Sequence, residues 1–238
     1  MKAMIFAAGL GTRFKPWTDE HPKALAIVNN KSLLQRNIEY LQQYGIIDVV
    51  VNVHHFADQV IEAIKNNKGW GSNIVISDER NELLETGGGL LKAQTLLQGT
   101  DPFITLNADI LTDLPLDDLL MEHKKNKALI TLGVSNRLSS RNFLFNDSKL
   151  LCGWENVTSG DKKIVIHNQK THSKAYSCVA VFEPNVFGLI PQRGKFSLTE
   201  TYLSLTSEYP VYGYEYNEGR FIDVGKPESV DIAEKMFL

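Results

Sequence analysis

Cysteine is nearly absent from the sequence. Cys152 and Cys178 are the only two among 238 residues, too few for a disulfide framework or a cysteine-ligated zinc site. We therefore expect a reducing, cytoplasmic setting. The six histidines do not supply the missing ligands, because no Cys or His cluster has the spacing of a zinc site. Nothing in the sequence indicates zinc chemistry.

Excess positive charge and long apolar runs are also missing. The formal net charge is -3, whereas nucleic-acid binders normally need a basic face, so we expect no nucleic-acid partner. No apolar run approaches the length that crosses a bilayer, so we expect no membrane partner. Glycines and then Arg13 interrupt the run from Ala3 to Leu10, which predicts a buried first strand rather than a signal peptide. A small anionic ligand needs only a local cluster of cations and is still compatible with this composition.

Strand-like and helical patterns alternate along the first half of the chain. Apolar runs typical of strands cover residues 3–7, 46–53, 73–77 and 103–107, and helical periodicity covers 33–44, 58–66 and 88–97. This alternation predicts βαβ units and a parallel sheet covered by helices on both faces. Ligands of such sheets lie beyond the carboxyl ends of the strands.

From residue 128 the pattern becomes richer in strands and turns. Strands are predicted at 128–134, 175–182, 211–215 and 221–224, with polar, turn-rich sequence at 142–170, short helices at 184–189 and 198–207, and a last amphipathic helix. No repeat or low-complexity linker separates these parts. We predict a single domain over residues 1–238, in which a β-rich insertion forms the far wall of a pocket.

A glycine loop with two cations follows the first predicted strand. Gly9 and Gly11 let backbone N–H groups approach phosphate oxygens, and Arg13 and Lys23 offer those oxygens a planar fork and a point charge. A dinucleotide fingerprint would need a third glycine where Phe14 stands, and a Walker motif would need a final Gly-Lys-Ser/Thr, so neither matches. The loop predicts another kind of polyphosphate site, with a solvated pair of surface cations as the alternative.

A second glycine cluster, Gly87 to Gly89, lies in the segment LLETGGGLLKA. Three adjacent glycines cost conformational entropy, so we expect them to do more than fill the start of a helix. We predict that they bring a helix N-terminus close to a ligand, with Thr86 capping that helix or bonding the ligand. A flexible surface loop is the alternative.

Two carboxylates are predicted at strand ends. Asp109 follows the apolar strand that ends in Asn107-Ala108, and Asp223 ends a later β-rich run. Either one alone is typical of a turn or a helix cap. Together they predict a Mg²⁺ site, because Mg²⁺ prefers one or two carboxylates with waters and substrate phosphates.

Taken together, these motifs resemble the signature of the sugar-1-phosphate nucleotidyltransferases. The stretch AAGLGTRFKPWTDEHPKAL is similar to the family's Ala-Ala-Gly-x-Gly-x-Arg leading to Pro-Lys, and LNADI and FIDVGKPESV resemble its later motifs. The resemblance implies an α/β fold, namely a Rossmann-like three-layer α/β/α fold with a mixed sheet and a small β-rich sugar-binding insertion. Residues 1–112 would form the nucleotide-binding part, and residues 113–238 the sugar-binding part and the C-terminal helix. It also implies that a nucleoside triphosphate and a sugar 1-phosphate react to give a nucleotide sugar and pyrophosphate.

The same resemblance implies roles for the motif residues. Arg13 and Lys23 would be the catalytic cations, on the outgoing pyrophosphate and the reacting phosphate, and Asp109 and Asp223 would bind Mg²⁺. The nucleotide would contact the strand end, the glycine loop and the start of the glycine cluster, that is, Ala7, Ala8, Gly9, Gly11, Thr12, Glu85, Thr86 and Gly87. The sugar would contact Asn107, Ser177, Cys178 and Lys226.

The segment LLETGGGLL resembles most the uridylyltransferase branch, which implies UTP, N-acetylmuramate 1-phosphate and peptidoglycan recycling in the cytoplasm. The sequence departs from the family pattern at Ala108, where glycine is usual, at 176–179, where a Gly-Ile pair is usual, and at Lys226, where threonine is usual. We expect Lys226 to contact a sugar carboxylate such as the lactyl group of muramate. The alternatives are a guanylyltransferase for mannose or heptose 1-phosphate and a non-catalytic nucleotide-sugar-binding module. We expect a monomer or a weak homo-oligomer.

Overall fold

A mixed sheet of ten strands runs through the structure, a computed structural model that describes residues 1–238. One half is parallel, in the order β6-β1-β4-β5. Its strands are β1 (Lys2–Phe6), β4 (Asp48–Val53), β5 (Asn73–Asp78) and β6 (Phe103–Asn107). Most residues of β1, β4 and β6 are buried, which is why these strands read as continuous apolar runs. β5 lies at the edge of the sheet and is mostly exposed or half-buried. The predicted parallel sheet is confirmed.

The other half of the sheet is largely antiparallel. β12 (Thr171–Phe182) pairs with β6 and joins the two halves. Beyond it lie β9 (Arg141–Asn146), β10 (Leu151–Asn156) and β11 (Lys162–Ile164), while β8 (Ile130–Ser135) pairs with β12 and with β13 (Val211–Glu215). The segment 142–170, predicted only as turn-rich, therefore contains three strands. The predicted β-rich insertion corresponds to this half.

Helices cover both faces of the sheet. Leu34 and Ile38 of the helix Leu33–Gln42 pack with Ala3 and Ile5 of β1 on one face, whereas Leu90 packs with Met4 on the other. Alternate residues of β1 thus enter opposite cores, as the period of two in a strand requires. The first face carries α1 (Leu33–Gln42), α2 (Ala57–Asn66) and α5 (Leu116–Lys125), and the second carries α3 (Glu85–Lys92), α4 (Gln94–Leu97), α6 (Val186–Leu189) and α7 (Leu198–Leu205). The predicted three-layer α/β/α fold is confirmed.

Smaller elements complete the fold. The two short strands β2 (Ile27–Val28) and β3 (Lys31–Ser32) form a ribbon, and α8 (Glu228–Met236) packs its Ala233 in a small third core with Val28 and Phe14. The segment between β1 and β2 contains only 3₁₀ turns, at 12–14, 17–19 and 23–25. No helix in the structure combines the length and the apolar character needed to cross a membrane.

Strand pairing brings three distant segments to one edge of the sheet. Phe6 at the end of β1 is the parallel partner of Asn107 at the end of β6, so the glycine loop and Asp109 leave the sheet side by side. β7 (Ile110–Thr112) and β14 (Phe221–Asp223) form a separate antiparallel ribbon that pairs Asp223 with Ile110. Asp223 is thereby placed next to Asp109, although the two are far apart in the chain.

Candidate active site

A short ion pair lies at this edge of the sheet. Lys23 Nζ donates to Asp109 Oδ2 at 2.5 Å, and the two side chains are only 11% and 27% exposed. Lys23 opens the 3₁₀ turn that follows Pro22, whose backbone is extended. A cation held this firmly and shielded from bulk water interacts more strongly with a bound anion than a solvated surface lysine does.

The two carboxylates at this edge influence each other. Burial, and after it the neighbouring Asp109 carboxylate, raises the pKa of Asp223, while Lys23, Arg13 and Arg137 act in the opposite direction. Arg13 Nη2 lies 3.7 Å from Asp223 Oδ2. Two carboxylates that repel each other across a small gap suit a divalent cation that prefers oxygen ligands. No three His, Cys, Asp or Glu side chains lie close enough together to hold a metal ion. Waters and substrate phosphates would therefore have to complete the coordination of Mg²⁺.

The glycine loop packs closely on the segment that carries Lys23. Gly11 has φ +62°, and a Cβ there would lie 2.8 Å from Thr18 Cγ2 and 3.2 Å from Lys23 Cβ. The Gly11 carbonyl accepts from Phe14 N at 2.8 Å and from Thr18 Oγ1 at 2.9 Å. A Cβ added at Gly9, in contrast, would meet nothing within 4 Å. Glycine at position 11 therefore allows the loop to pack on Thr18 and Lys23. The backbone at Gly9 is free of close neighbours and accessible to a ligand.

Four of the ten predicted nucleotide and metal residues line one small cavity of about 140 Å³, namely Ala7, Gly9, Thr86 and Asp109. Its polar lining includes Lys23, Thr86 and Asp109, and its complete lining is Phe6, Ala7, Gly9, Lys23, Ala24, Thr86, Asn107, Ala108 and Asp109. The predicted nucleotide and metal residues outside this lining are Ala8, Gly11, Thr12, Glu85, Gly87 and Asp223. Ala8 is buried, whereas Thr12 and Glu85 are exposed.

Sequence reasoning missed a buried polar chain behind the end of β1. Ala7 N donates to Asn52 Oδ1 at 2.7 Å, and Asn52 Nδ2 donates to Glu79 Oε1 at 2.8 Å. Glu79 is fully buried, and its burial raises the pKa of its carboxyl group. This chain fixes the orientation of the backbone at Ala7, where the strand enters the glycine loop.

A larger cavity of about 670 Å³ adjoins the carboxylates. Its wall is aromatic, with Phe143 and Trp154 from adjacent strands and Tyr176 and Tyr202 packed edge to face at 5.9 Å. Its polar lining is rich in arginine and includes Arg13, Asn107, Arg137, Arg141, Cys178 and Asp223. A volume of this order suits a sugar ring and its substituents. The aromatic residues and two of the arginines were not predicted.

Comparison with known proteins identifies the family. The family model described as "Nucleotidyl transferase" matches residues 2–143, which is more than half of the chain. The protein belongs to the nucleotidyl transferase family. This result confirms the family that the motifs predict, and the matched residues include the glycine loop, Lys23 and Asp109.

Two kinds of curated relatives are similar to this nucleotidyl transferase. The mannose-1-phosphate guanyltransferase of Yarrowia lipolytica is 29% identical over 230 residues, which cover 96% of this chain and 61% of that protein. The N-acetylmuramate alpha-1-phosphate uridylyltransferase of Caulobacter vibrioides is 46% identical over 110 residues, which cover 45% of each protein. The chain therefore spans less than two thirds of the length of either relative.

A solved structure is similar over the whole fold. HddC from Yersinia pseudotuberculosis complexed with GMP-PN has a TM-score of 0.77 and 21% sequence identity, and the match covers 100% of this chain and 99% of that one. At this identity the likeness shows the fold alone.

The structure gives the second glycine cluster a packing role that the sequence did not predict. Gly87 N and Gly88 N, at the start of α3, both donate to the Phe196 carbonyl at 2.9 and 3.2 Å. A Cβ at Gly88 would lie 2.2 Å from the Gly194 carbonyl oxygen, and one at Gly87 would lie 2.3 Å from the Phe196 ring. The glycines thus make room for the segment 194–196, and their approach to a ligand stays a prediction. Thr86, just before them, does reach both cavities.

Gly88→Ala is expected to lower the free energy of unfolding by about 1–3 kcal/mol, because the new methyl group would meet backbone rather than a flexible side chain. The control is Gly188→Ala in α6, where nothing lies within 4 Å of the added Cβ. Helix propensity alone favours alanine over glycine at both sites. Urea unfolding should therefore show a lower free energy of unfolding for Gly88→Ala and a higher one for Gly188→Ala. Equal changes in the two variants would contradict the packing role of Gly88.

Two predicted sugar-binding residues do not line the large cavity. Ser177 is buried and lines a separate cavity of about 440 Å³ on the far side of Arg137 and Phe221. Neighbouring strand residues face opposite sides, so Ser177 points away where Tyr176 and Cys178 point in. Lys226 is exposed beyond β14 and contributes to neither cavity. Asn107 and Cys178, by contrast, line the large cavity.

Cys178 sits in an irregular part of β12. The register with β8 shifts between Tyr176 and Ala180, and Cys178 has φ +56°, in the left-handed region that favours glycine. Burial raises the pKa of its thiol to about 12. The thiol is therefore protonated at neutral pH and is not a nucleophile.

Cys178→Gly is expected to be more stable than Cys178→Ala by about 1 kcal/mol. Both changes remove the sulfur, but only glycine removes the steric cost of a Cβ at positive φ. In an ordinary strand position alanine would be the more stable of the two. Thermal unfolding of the pair measures this difference, and a more stable alanine variant would show that the left-handed conformation is not strained.

Proposed function

We propose that the protein transfers a uridylyl group from UTP to N-acetylmuramate 1-phosphate, which gives a nucleotide sugar and pyrophosphate. The observation that carries the proposal is the shielded Lys23–Asp109 pair, which lies between the glycine loop and the arginine-rich cavity. A triphosphate on the loop and a sugar phosphate in the larger cavity would meet at this pair. The product would serve peptidoglycan recycling in the cytoplasm.

The reaction needs cations positioned beside the reacting phosphates rather than a protein nucleophile. An oxygen of the sugar 1-phosphate attacks the α-phosphorus of UTP, and pyrophosphate leaves on the opposite side. The attacking phosphate is already ionised, so no strong base is required, and neither cavity is lined by histidine. Lys23 would hold the reacting phosphate and Arg13 the departing pyrophosphate, because cations fixed near developing charge lower the barrier.

Asp109 and Asp223 are the residues that would hold Mg²⁺. The donor set of two neighbouring carboxylates fits this cation, as described above. Mg²⁺ would supply neutralisation of phosphate charge and a fixed orientation for the phosphates. Lys23 shares Asp109 with this site, so the lysine also aligns the carboxylate.

Sequence similarity supports uridylyl transfer to muramate. The 46% identity to the Caulobacter vibrioides uridylyltransferase covers 45% of this chain, and the uridylyltransferase of Neisseria meningitidis serogroup B is 41% identical over 114 residues. The second candidate is guanylyl transfer to mannose 1-phosphate, which is favoured by a weaker similarity of 29% that extends over 96% of the chain.

A substrate matrix tests the proposal. Pyrophosphate release is measured with UTP, GTP, CTP and ATP, each combined with N-acetylmuramate, N-acetylglucosamine, mannose or heptose 1-phosphate. The pair of UTP and N-acetylmuramate 1-phosphate should be fastest, with a sharp preference for the base because hydrogen-bonding sites reject mismatched groups strongly. A tenfold advantage for GTP with mannose or heptose 1-phosphate would replace the substrate assignment. No release with any pair would overturn nucleotidyl transfer.

A further inference from the structure

Two arginines that the proposed chemistry does not use line the large cavity. Arg137 and Arg141 both contribute to its wall, and no carboxylate lies within salt-bridge distance of either, although the protein has thirteen such pairs elsewhere. The third arginine of the cavity, Arg13, lies near Asp223. Asp223 is also the only carboxylate in the lining. Arg137 and Arg141 therefore present two positive charges that no carboxylate contacts directly.

Arg137 is held in place without being neutralised. Its guanidinium lies 4.1 Å from the ring centroid of Phe221, and its Nη2 donates to the Tyr176 carbonyl at 2.7 Å. Its Nε is buried and has no acceptor. A guanidinium that has lost water and gained only one acceptor has unused capacity for an anion, and its fixed position lowers the entropy cost of binding one.

Arg141 extends the same wall to the rim of the cavity. It begins β9 two residues before Phe143, so the two side chains lie on the same face of the sheet. Trp154, the cross-strand partner of Phe143, adds to that face. Arg141 is exposed, whereas Phe143 packs edge to face on Tyr202 at 5.8 Å. Aromatic side chains thus line the interior of the cavity, and arginine side chains line one side of it.

This combination suits a sugar that carries a second anionic group. The C–H face of a pyranose packs well on aromatic rings, and arginine binds carboxylates through paired hydrogen bonds. A sugar whose only charge is its phosphate would place that charge at Lys23 and the carboxylates and would leave Arg137 and Arg141 unneutralised. We propose that Arg137 and Arg141 bind a carboxylate on the sugar ring and so select anionic sugar 1-phosphates. This inference rests on the proposed function.

A pair of matched substrates tests the inference. N-acetylmuramate 1-phosphate and N-acetylglucosamine 1-phosphate differ only by the lactyl ether, which carries the carboxylate. Arg137→Met and Arg141→Met should each lower kcat/KM for the muramate at least tenfold more than for the glucosamine, mainly through KM. Losing a charge-assisted hydrogen bond typically has an effect of this order. Lys163→Met, which removes an exposed cation of the same half of the sheet outside the cavity, should change neither value.

Binding measurements separate this inference from the proposed function. Calorimetry of each sugar phosphate alone should show that the muramate binds more tightly to the wild type and that either arginine variant loses this advantage. Arginine-dependent binding without uridylyl transfer would overturn the proposed function and support the inference. Equal losses for both sugars, or no loss in either variant, would overturn the inference and leave the proposed function standing. Circular dichroism melts confirm that the variants are folded.

Discussion

Lys23→Met is expected to lower kcat for nucleotidyl transfer by about a hundredfold or more, because a preorganised cation that faces developing phosphate charge contributes on that order. Lys23 Nζ lies 2.5 Å from Asp109 Oδ2, and the lysine side chain is only 11% exposed. Water therefore screens its charge weakly. Methionine keeps most of the volume of the side chain and removes only the charge. Breaking the ion pair with Asp109 should also lower the melting temperature, but the increase in activation free energy should be larger than the loss of stability.

Lys31→Met is the matched control for this experiment. Lys31 forms an ion pair of similar length, 2.6 Å, with Glu39, but its side chain is 45% exposed and lines neither cavity. Its removal should leave kcat unchanged and cost at most about 1 kcal/mol of stability. A large loss of stability in Lys23→Met with little change in kcat would show that the Lys23–Asp109 pair is structural.

Asp109→Asn and Asp223→Asn are expected to abolish most of the activity while their effects on stability differ. Both changes remove a carboxylate that would hold Mg²⁺, so both should weaken Mn²⁺ binding measured by electron paramagnetic resonance. Asp109→Asn also breaks the ion pair with Lys23 and should destabilise the fold. Asp223→Asn removes a half-exposed charge that the Asp109 carboxylate repels, so its stability should equal or exceed that of the wild type.

Asp161→Asn serves as the control for the carboxylate variants, because Asp161 is exposed and lies in neither cavity. It should retain wild-type turnover and Mn²⁺ binding. Chelation of divalent cations by EDTA should stop the wild-type reaction, and added Mg²⁺ should restore it. Near-normal turnover in either carboxylate variant would remove the metal assignment.

The parallel half of the fold could be predicted because its signals are local. Strands such as β1 and β4 are apolar on both faces, and helices such as α1 repeat their apolar residues at helical spacing. Strands β9 to β11 were not predicted. Their apolar positions, such as Phe143 and Trp154, are separated by polar turns, and their stability depends on pairing with β12 rather than on local pattern.

The candidate site was predictable where strand ends define it. Gly9 and Asp109 follow the ends of the adjacent parallel strands β1 and β6, and the rule that ligands bind at the carboxyl ends brings them together. The partners of Gly87 were not predictable, because Phe196 is distant in sequence and reaches α3 only through tertiary packing. The left-handed conformation of Cys178 was not predictable either, because it occurs where the register of β12 with β8 shifts.

Phosphorus NMR of a single reaction mixture tests the central claim most directly. Wild-type protein is incubated with Mg²⁺, UTP and N-acetylmuramate 1-phosphate, and the phosphorus resonances are followed with time. The account predicts that both substrates disappear together while pyrophosphate and a nucleotide diphospho-sugar form in equal amounts, and that Lys23→Met slows both changes alike. Release of orthophosphate, or consumption of UTP without the sugar phosphate, would contradict it.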